Sequence, residues 1–197
     1  MKTGLHLIVL LACLAAQPAQ AEWRPAERID TYAISGKTGI ELYQSIGERG
    51  PKAGQTRAIA HTTFDLKWSR KYEPLQDGSC RLTTARPHLT IIYRLPKPSS
   101  KLPPDTQKLW DRFIDGITTH ERVHGEHILD MVRKIEAFSV GFTVPDDSGC
   151  KKIRQELTKR LSELSQEQRA TSRDFDRNEM QDGGNVHQLI LGLVNGG

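Results

Sequence analysis

Two periodicities divide the chain. Between Gln55 and Arg70, Phe64, Leu66 and Trp68 alternate with Thr63, Asp65, Lys67 and Ser69, the two-residue repeat of a half-buried strand, with Ile59 upstream in the same run. After Gln76-Asp77-Gly78-Ser79 a second extended stretch runs from Cys80 to Leu95 and carries Leu82, Leu89, Ile91, Ile92 and Tyr93. Pro87 has no N–H to donate to a ladder, which argues against an uninterrupted central strand there and for an edge, a bulge or two short strands. Upstream, Tyr32-Ala33-Ile34 reads as extended. Gly39 to Gly47 reads as a short helix presenting Ile40, Leu42, Tyr43 and Ile46, followed by a turn at Gly50-Pro51-Lys52-Ala53-Gly54.

The pattern changes after Pro96, Pro98, Pro103 and Pro104, which make a stiff connector. Asp105 is the expected N-cap of a long helix. Its apolar stripe runs through Leu109, Trp110, Phe113, Ile114 and Ile117, then Ile128, Met131, Val132, Ile135 and Phe138, and Gly141 and Pro145 should break it. A second helix is expected from near Ser148, with Ile153, Leu157, Leu161 and Leu164 on one face, and Val186, Leu189, Ile190 and Leu193 would dock a final turn or two. The expected fold class is therefore α+β. A small antiparallel sheet in a β-rich part, 28–95, precedes a helical part, 105–180, in a single domain over 22–197.

Residues 1–21 read as a secretory signal peptide. Lys2 supplies the positive end, Leu5 to Ala16 the apolar core, and Ala19-Gln20-Ala21 a small-x-small cleavage site. The apolar run is too short to span a bilayer. Acylation of Cys13 in a lipoprotein ranks second, and the expected location is secreted or periplasmic. Cleavage also removes Cys13, leaving Cys80 and Cys150 in a chain bound for an oxidising compartment, where the two are expected to pair. Two free thiols or zinc ligands are the alternative.

Composition narrows the partners. The 197 residues are 37% hydrophobic and 26% charged, as in ordinary globular proteins, and the formal net charge of +4 is scattered along the chain. With no nucleic-acid or P-loop signature, no nucleic-acid partner is expected.

The chemistry concentrates in the long helix, at His120-Glu121-Arg122-Val123-His124. This HExxH spacing puts the two imidazoles about 40° apart on one face, one turn apart along the axis, so both can reach one ion. Steps of three and four from Trp110, Phe113 and Ile117 land on both histidines and continue to Ile128, Met131 and Ile135. Two imidazoles without partners would be costly in such a seam, and a metal would satisfy both. Imidazole suits Zn²⁺, and Glu121 is placed as general base towards the attacking water. Arg122 and Glu126 are expected to form a solvated ion pair. His127 is an alternative third ligand on the same face, whereas His61, His88 and His187 are expected to face solvent.

With these residues in hand, the chain resembles the DUF922 family of secreted zinc-dependent proteases, whose proteolytic activity is itself inferred. The resemblance runs through Tyr32-Ala33-Ile34-Ser35-Gly36, Arg49-Gly50-Pro51, Trp68, Ser79-Cys80, Pro96, Trp110, His120 to His127, Gly149-Cys150 and Phe175-Asp176. It implies an α+β domain with a zincin-like helix, a Cys80–Cys150 disulfide and an envelope or extracellular setting. The family pattern Tyr-Asp-x-x-Thr-x-His-Gly departs here: Asp176 is matched, but Glu179 and Gln181 stand at the Thr and His positions. Asp176 is therefore the first candidate for third ligand, with Glu179 behind it. The resulting expectation is a secreted zinc metallopeptidase acting on a peptide or protein substrate, with Zn²⁺ on His120 and His124 and Glu121 as general base. The substrate would lie along a sheet edge formed by residues 55–70 or 80–95. A non-catalytic envelope module with a structural or lost metal site is the alternative.

Overall fold

A computed structural model describes residues 23–54 and 56–196; the leader and Cys13 lie outside the described residues. Strand β1 (Ala26–Ile34) is followed by helix α1 (Gly39–Arg49), a small ribbon of β2 (Lys52–Ala53) and β3 (Thr56–Arg57), and the long strands β4 (His61–Pro74) and β5 (Cys80–Pro98). Helix α2 (Pro104–Ser139), strand β6 (Thr143–Val144) and helices α3 (Lys152–Met180) and α4 (Asn185–Asn195) complete the chain. The protein is thus α+β, with its sheet preceding its long helices.

The expected antiparallel pair is β4 on β5, but β1 joins the other side of β5 in parallel, so the sheet is mixed and ordered β1-β5-β4. The short Tyr32–Ile34 piece belongs to a nine-residue strand whose Tyr32 and Ile34 are buried. Of the three options for Pro87, the two short strands are not found, since β5 is continuous over 19 residues, and the edge is. The proline is tolerated because β1 begins pairing only at Thr90 and β6 pairs only with Cys80 and Arg81. Around Pro87 the strand has a single neighbour, β4, and is locally an edge, where a missing donor is harmless. The ladder shifts register once, between Lys71 and Tyr72.

Helix α2 is 36 residues long and lies on the sheet with Trp110, Phe113, Ile117, Ile128, Met131, Val132 and Ile135 buried, as the stripe requires. It begins one residue before Asp105. Pro103 is the cap, without a side-chain bond, and Asp105 sits in the first turn, where its charge meets the positive helix end. Gly141, in the left-handed region at φ 85°, lies just beyond its end.

Helix α3 begins at Lys152 and not near Ser148. Asp147 accounts for the delay: its Oδ1 accepts from the backbone N–H of Lys151 (2.8 Å) and Lys152 (3.1 Å), and its Oδ2 from that of Ile153 (2.8 Å). A carboxylate four to six residues upstream thus satisfies the donors that a helix start leaves free. Burial opposes the charge on Asp147, but these three N–H donors outweigh it and hold its pKa below the ordinary value. Cys150 is bonded to Cys80, with their Cα atoms 5.3 Å apart. Around the bridge Leu82, Ala85, Ile153 and Leu157 form a second small core. The C-terminal segment is a full helix, α4, with Val186 and Leu193 buried.

Candidate metal centre

Three elements converge on one point. Helix α2 contributes His120, 8% exposed, and His124, 12% exposed, from the apolar stripe. Helix α3 returns alongside α2, and the face that carries Leu157 and Leu164 continues by steps of three and four to Gln168, Ser172 and Phe175, with Asp176 beside it. Strand β4 supplies Thr62.

The Nε2 atoms of His120 and His124 are 3.1 Å apart. Asp176 Oδ1 lies 3.2 Å from the first and 2.8 Å from the second. Donors bound at 2.0–2.1 Å to a tetrahedral zinc ion stand about 3.3 Å from one another, so this triangle is close to three corners of a zinc site. Phe175 holds the rings. It stacks on His120 (centroids 4.7 Å, interplanar angle 20°) and meets His124 edge-on at 5.4 Å.

Charge at the centre favours a cation. Burial works against a positive His124, but the hydrogen bond and charge of Asp176, with Glu121 behind them, prevail and raise its pKa above the usual histidine value. Burial likewise opposes charge on Asp176, yet the hydrogen bonds and charges of the two histidines hold its pKa well below the carboxylate range.

The two alternative ligands are placed elsewhere. Glu179 Oε2 is 3.7 Å from Nδ1 of His120, the ring nitrogen on the side away from the triangle. That buried Nδ1 has no hydrogen-bond partner. His127 points its Nδ1 at Ser172 Oγ, 3.2 Å away, and is not in the donor group formed by His120, His124 and Asp176. Burial and the neighbouring His124 lower its pKa.

Glu121 is buried, 5% exposed. Its Oε2 accepts from Thr62 Oγ1 at 2.6 Å, while Oε1 has no hydrogen-bond partner among the described residues. Arg122 does not pair with Glu126. It reaches across to Glu27 on β1 (3.6 Å) and lies over the Tyr93 ring, an exposed pair made with the neighbouring sheet instead of along the helix. His61 and His88 are exposed, and His88 bonds Ser69 Oγ at 2.8 Å. His187 is only partly exposed and accepts the N–H of Gly183 at 3.1 Å, tying down the start of α4.

A cleft of about 690 Å³ opens over the centre. His120, Glu121 and His124 form its floor, residues 56–64 one wall, and α3 from Gln168 to Met180 the other. Strand β5 is open on one side only over residues 83–89, between its pairings with β6 and β1, and these residues do not line the cleft; the edge beside the cleft is that of β4. Thr62 and the cleft-wall arginines Arg57, Arg169 and Arg173 were not singled out by the sequence, and Phe175 entered only through the resemblance, with no role assigned. A signal for the helical ones was present in the apolar face of α3, which turns polar after Leu164, just as the α2 stripe does at His120.

Comparison with known proteins gives one match. The profile of the family described as "Bacterial protein of unknown function (DUF922)" fits residues 29–184. No curated protein matches the chain, and no solved structure does.

Proposed function

The chain belongs to the DUF922 family, and on that footing we propose that it is an exported zinc-dependent peptidase. The observation that carries this reading is the triangle of His120 Nε2, His124 Nε2 and Asp176 Oδ1 on the floor of an open cleft. The donor set fits zinc by chemistry as well as spacing: two imidazoles and one carboxylate, as in hydrolytic zinc sites. Only three such donors come together among the described residues, which favours an open site over the closed four-ligand kind that braces folds. When bound, zinc would supply a Lewis acid that polarises the scissile carbonyl and makes water more acidic.

The remaining work falls to the protein's own groups. Glu121 Oε1 accepts the proton of the attacking water as its oxygen bonds to the carbonyl carbon. It then returns that proton to the leaving amine nitrogen as the C–N bond breaks. Thr62 holds the other carboxylate oxygen, fixing the plane of Glu121. The open edge of β4 offers N–H and C=O groups to an extended peptide. The Cys80–Cys150 bridge supports an oxidising compartment and so the export implied by residues 1–21.

The test is zinc stoichiometry of the mature chain together with digestion of a peptide library by wild type and Glu121→Gln. One zinc per chain in both, with cleavage by wild type alone, is expected. One zinc with no hydrolysis by wild type across the library would sink the reading.

A further inference from the structure

The cleft walls carry charge that the hydrolytic centre does not use. Arg57 lies on the β3 side, and Arg169 and Arg173 lie on α3 opposite. The acids lining the same cleft are Glu121 and Asp176, both committed at the centre: Glu121 to Thr62 and Asp176 to the two histidines. A bound dication would offset those two carboxylates, leaving the arginines as the unbalanced charge facing whatever enters.

Two of the arginines are tethered with most of their donors in reserve. Arg57 Nη1 donates to the Gly50 carbonyl at 2.7 Å, and Arg169 Nη1 donates to Ser165 Oγ at 2.6 Å. A guanidinium has five N–H groups, so one anchoring bond restricts the side chain without exhausting it. Arg173, one helical turn beyond Arg169, has no ion-pair or hydrogen-bond partner among the described residues. The three are exposed. They sit beside the polypeptide edge of β4, so the anion they would meet belongs to a chain lying along that edge.

We infer that the substrate is an acidic polypeptide segment, bound extended along β4 with its carboxylates taken by Arg57, Arg169 and Arg173. The inference rests on the peptidase reading of the same cleft and adds the class of sequence it takes. Guanidinium–carboxylate pairing is geometrically matched and is stronger than a neutral hydrogen bond, and a partly enclosed groove focuses the field.

The test measures binding by fluorescence anisotropy to the zinc-loaded mature chain carrying Glu121→Gln, so that bound peptide is not consumed. The probes are a glutamate-rich decapeptide, its glutamine counterpart and a sulfated oligosaccharide of equal charge. The acidic peptide should bind at least about tenfold tighter than the glutamine one at low salt, with the gap closing as salt rises. Adding Arg57→Gln, Arg169→Gln and Arg173→Gln together should abolish the gap, and the Arg169→Gln, Arg173→Gln pair should narrow it, while zinc content stays unchanged. Equal binding of the two peptides, a preference that survives the arginine changes, or equally tight binding of the oligosaccharide would overturn the inference. Failure of the peptidase reading looks different: the charge preference would be present with no cleavage by wild type. Cleavage of acidic and neutral peptides at equal rates would instead overturn the preference and leave the peptidase standing.

Discussion

Glu179 Oε2 stands 3.7 Å from the buried, unpartnered Nδ1 of His120, on the opposite side of the ring from Asp176. A histidine that binds metal through Nε2 carries its proton on Nδ1, and a carboxylate facing that proton fixes the tautomer and makes the ligand more basic. Asp176 and Glu179, one turn apart on α3, thus address the two nitrogens of one imidazole. Glu179→Ala should weaken zinc binding by about tenfold or more. Glu179→Gln, which keeps an acceptor oxygen, should lose less, and Asp176→Ala should lose more than either. Competition against a chromophoric chelator checks the order.

Gly125 lies between the second ligand and the sheet. A Cβ there would come within 2.3 Å of the Tyr93 hydroxyl, which is 3.3 Å from Glu27. Burial, and then Glu27, push the Tyr93 pKa up to about 12, so the group remains a neutral phenol. Gly125→Ala gains helix propensity but must displace a buried ring, and overpacking of this kind costs about 1–3 kcal/mol. A net loss of stability is expected. Tyr93→Phe removes the clashing oxygen, so Gly125→Ala should be milder in that background. Urea denaturation of the four proteins gives the coupling directly.

The Asp147 cap makes stability dependent on acid. Its folded-state pKa is depressed, so its contribution is complete above the unfolded value near 4 and disappears as pH falls through the folded one. The melting temperature should therefore drop on going from pH 6 to pH 3, and Asp147→Asn should fall less over the same interval. An equal drop in both proteins would remove Asp147 as the cause.

The bridge between Cys80 and Cys150 closes a loop with a sequence separation of 70. In the chain-entropy description a closure of that length stabilises the fold by about 4 kcal/mol. The unreduced mature chain should show no alkylatable thiol by mass spectrometry. Replacing both cysteines by alanine should lower the midpoint of urea denaturation.

Much of this layout is legible in the residues. The stripe on α2 shows both the helix and the inward aim of His120 and His124, because a helical period fixes which residues share a face. The alternation Phe64, Leu66, Trp68 marks β4 in the same way. Strand pairing is harder to read. Nothing local in Tyr32-Ala33-Ile34 indicates that β1 runs parallel to β5, since the crossover between them contains both a helix and a whole strand. Pro87 signals an edge correctly but not how long the strand is, because that depends on where a different strand begins. The Asp147 cap is hidden for a similar reason: it acts from a loop, outside the usual capping position. Arg122 and Glu126 have the spacing of an ion pair, but the nearby sheet offers Glu27 instead. The ranking of Asp176 ahead of Glu179 is legible in the family pattern, whereas the nitrogen of His120 that each one faces is set only by the packing of α3 on α2.

Helix α3 is riveted at its first turn by a covalent crosslink and a carboxylate, and its cargo, Asp176, rides about 35 Å further along the rod. A tilt of a few degrees at the rivet becomes an ångström or two at the cargo. Metal loading would clamp the far tip against its neighbour, so crosslink and ion act as two fasteners on one lever. Loosening the near one should be felt at the far one as leakier retention of zinc, although no atom of the bridge touches the ion.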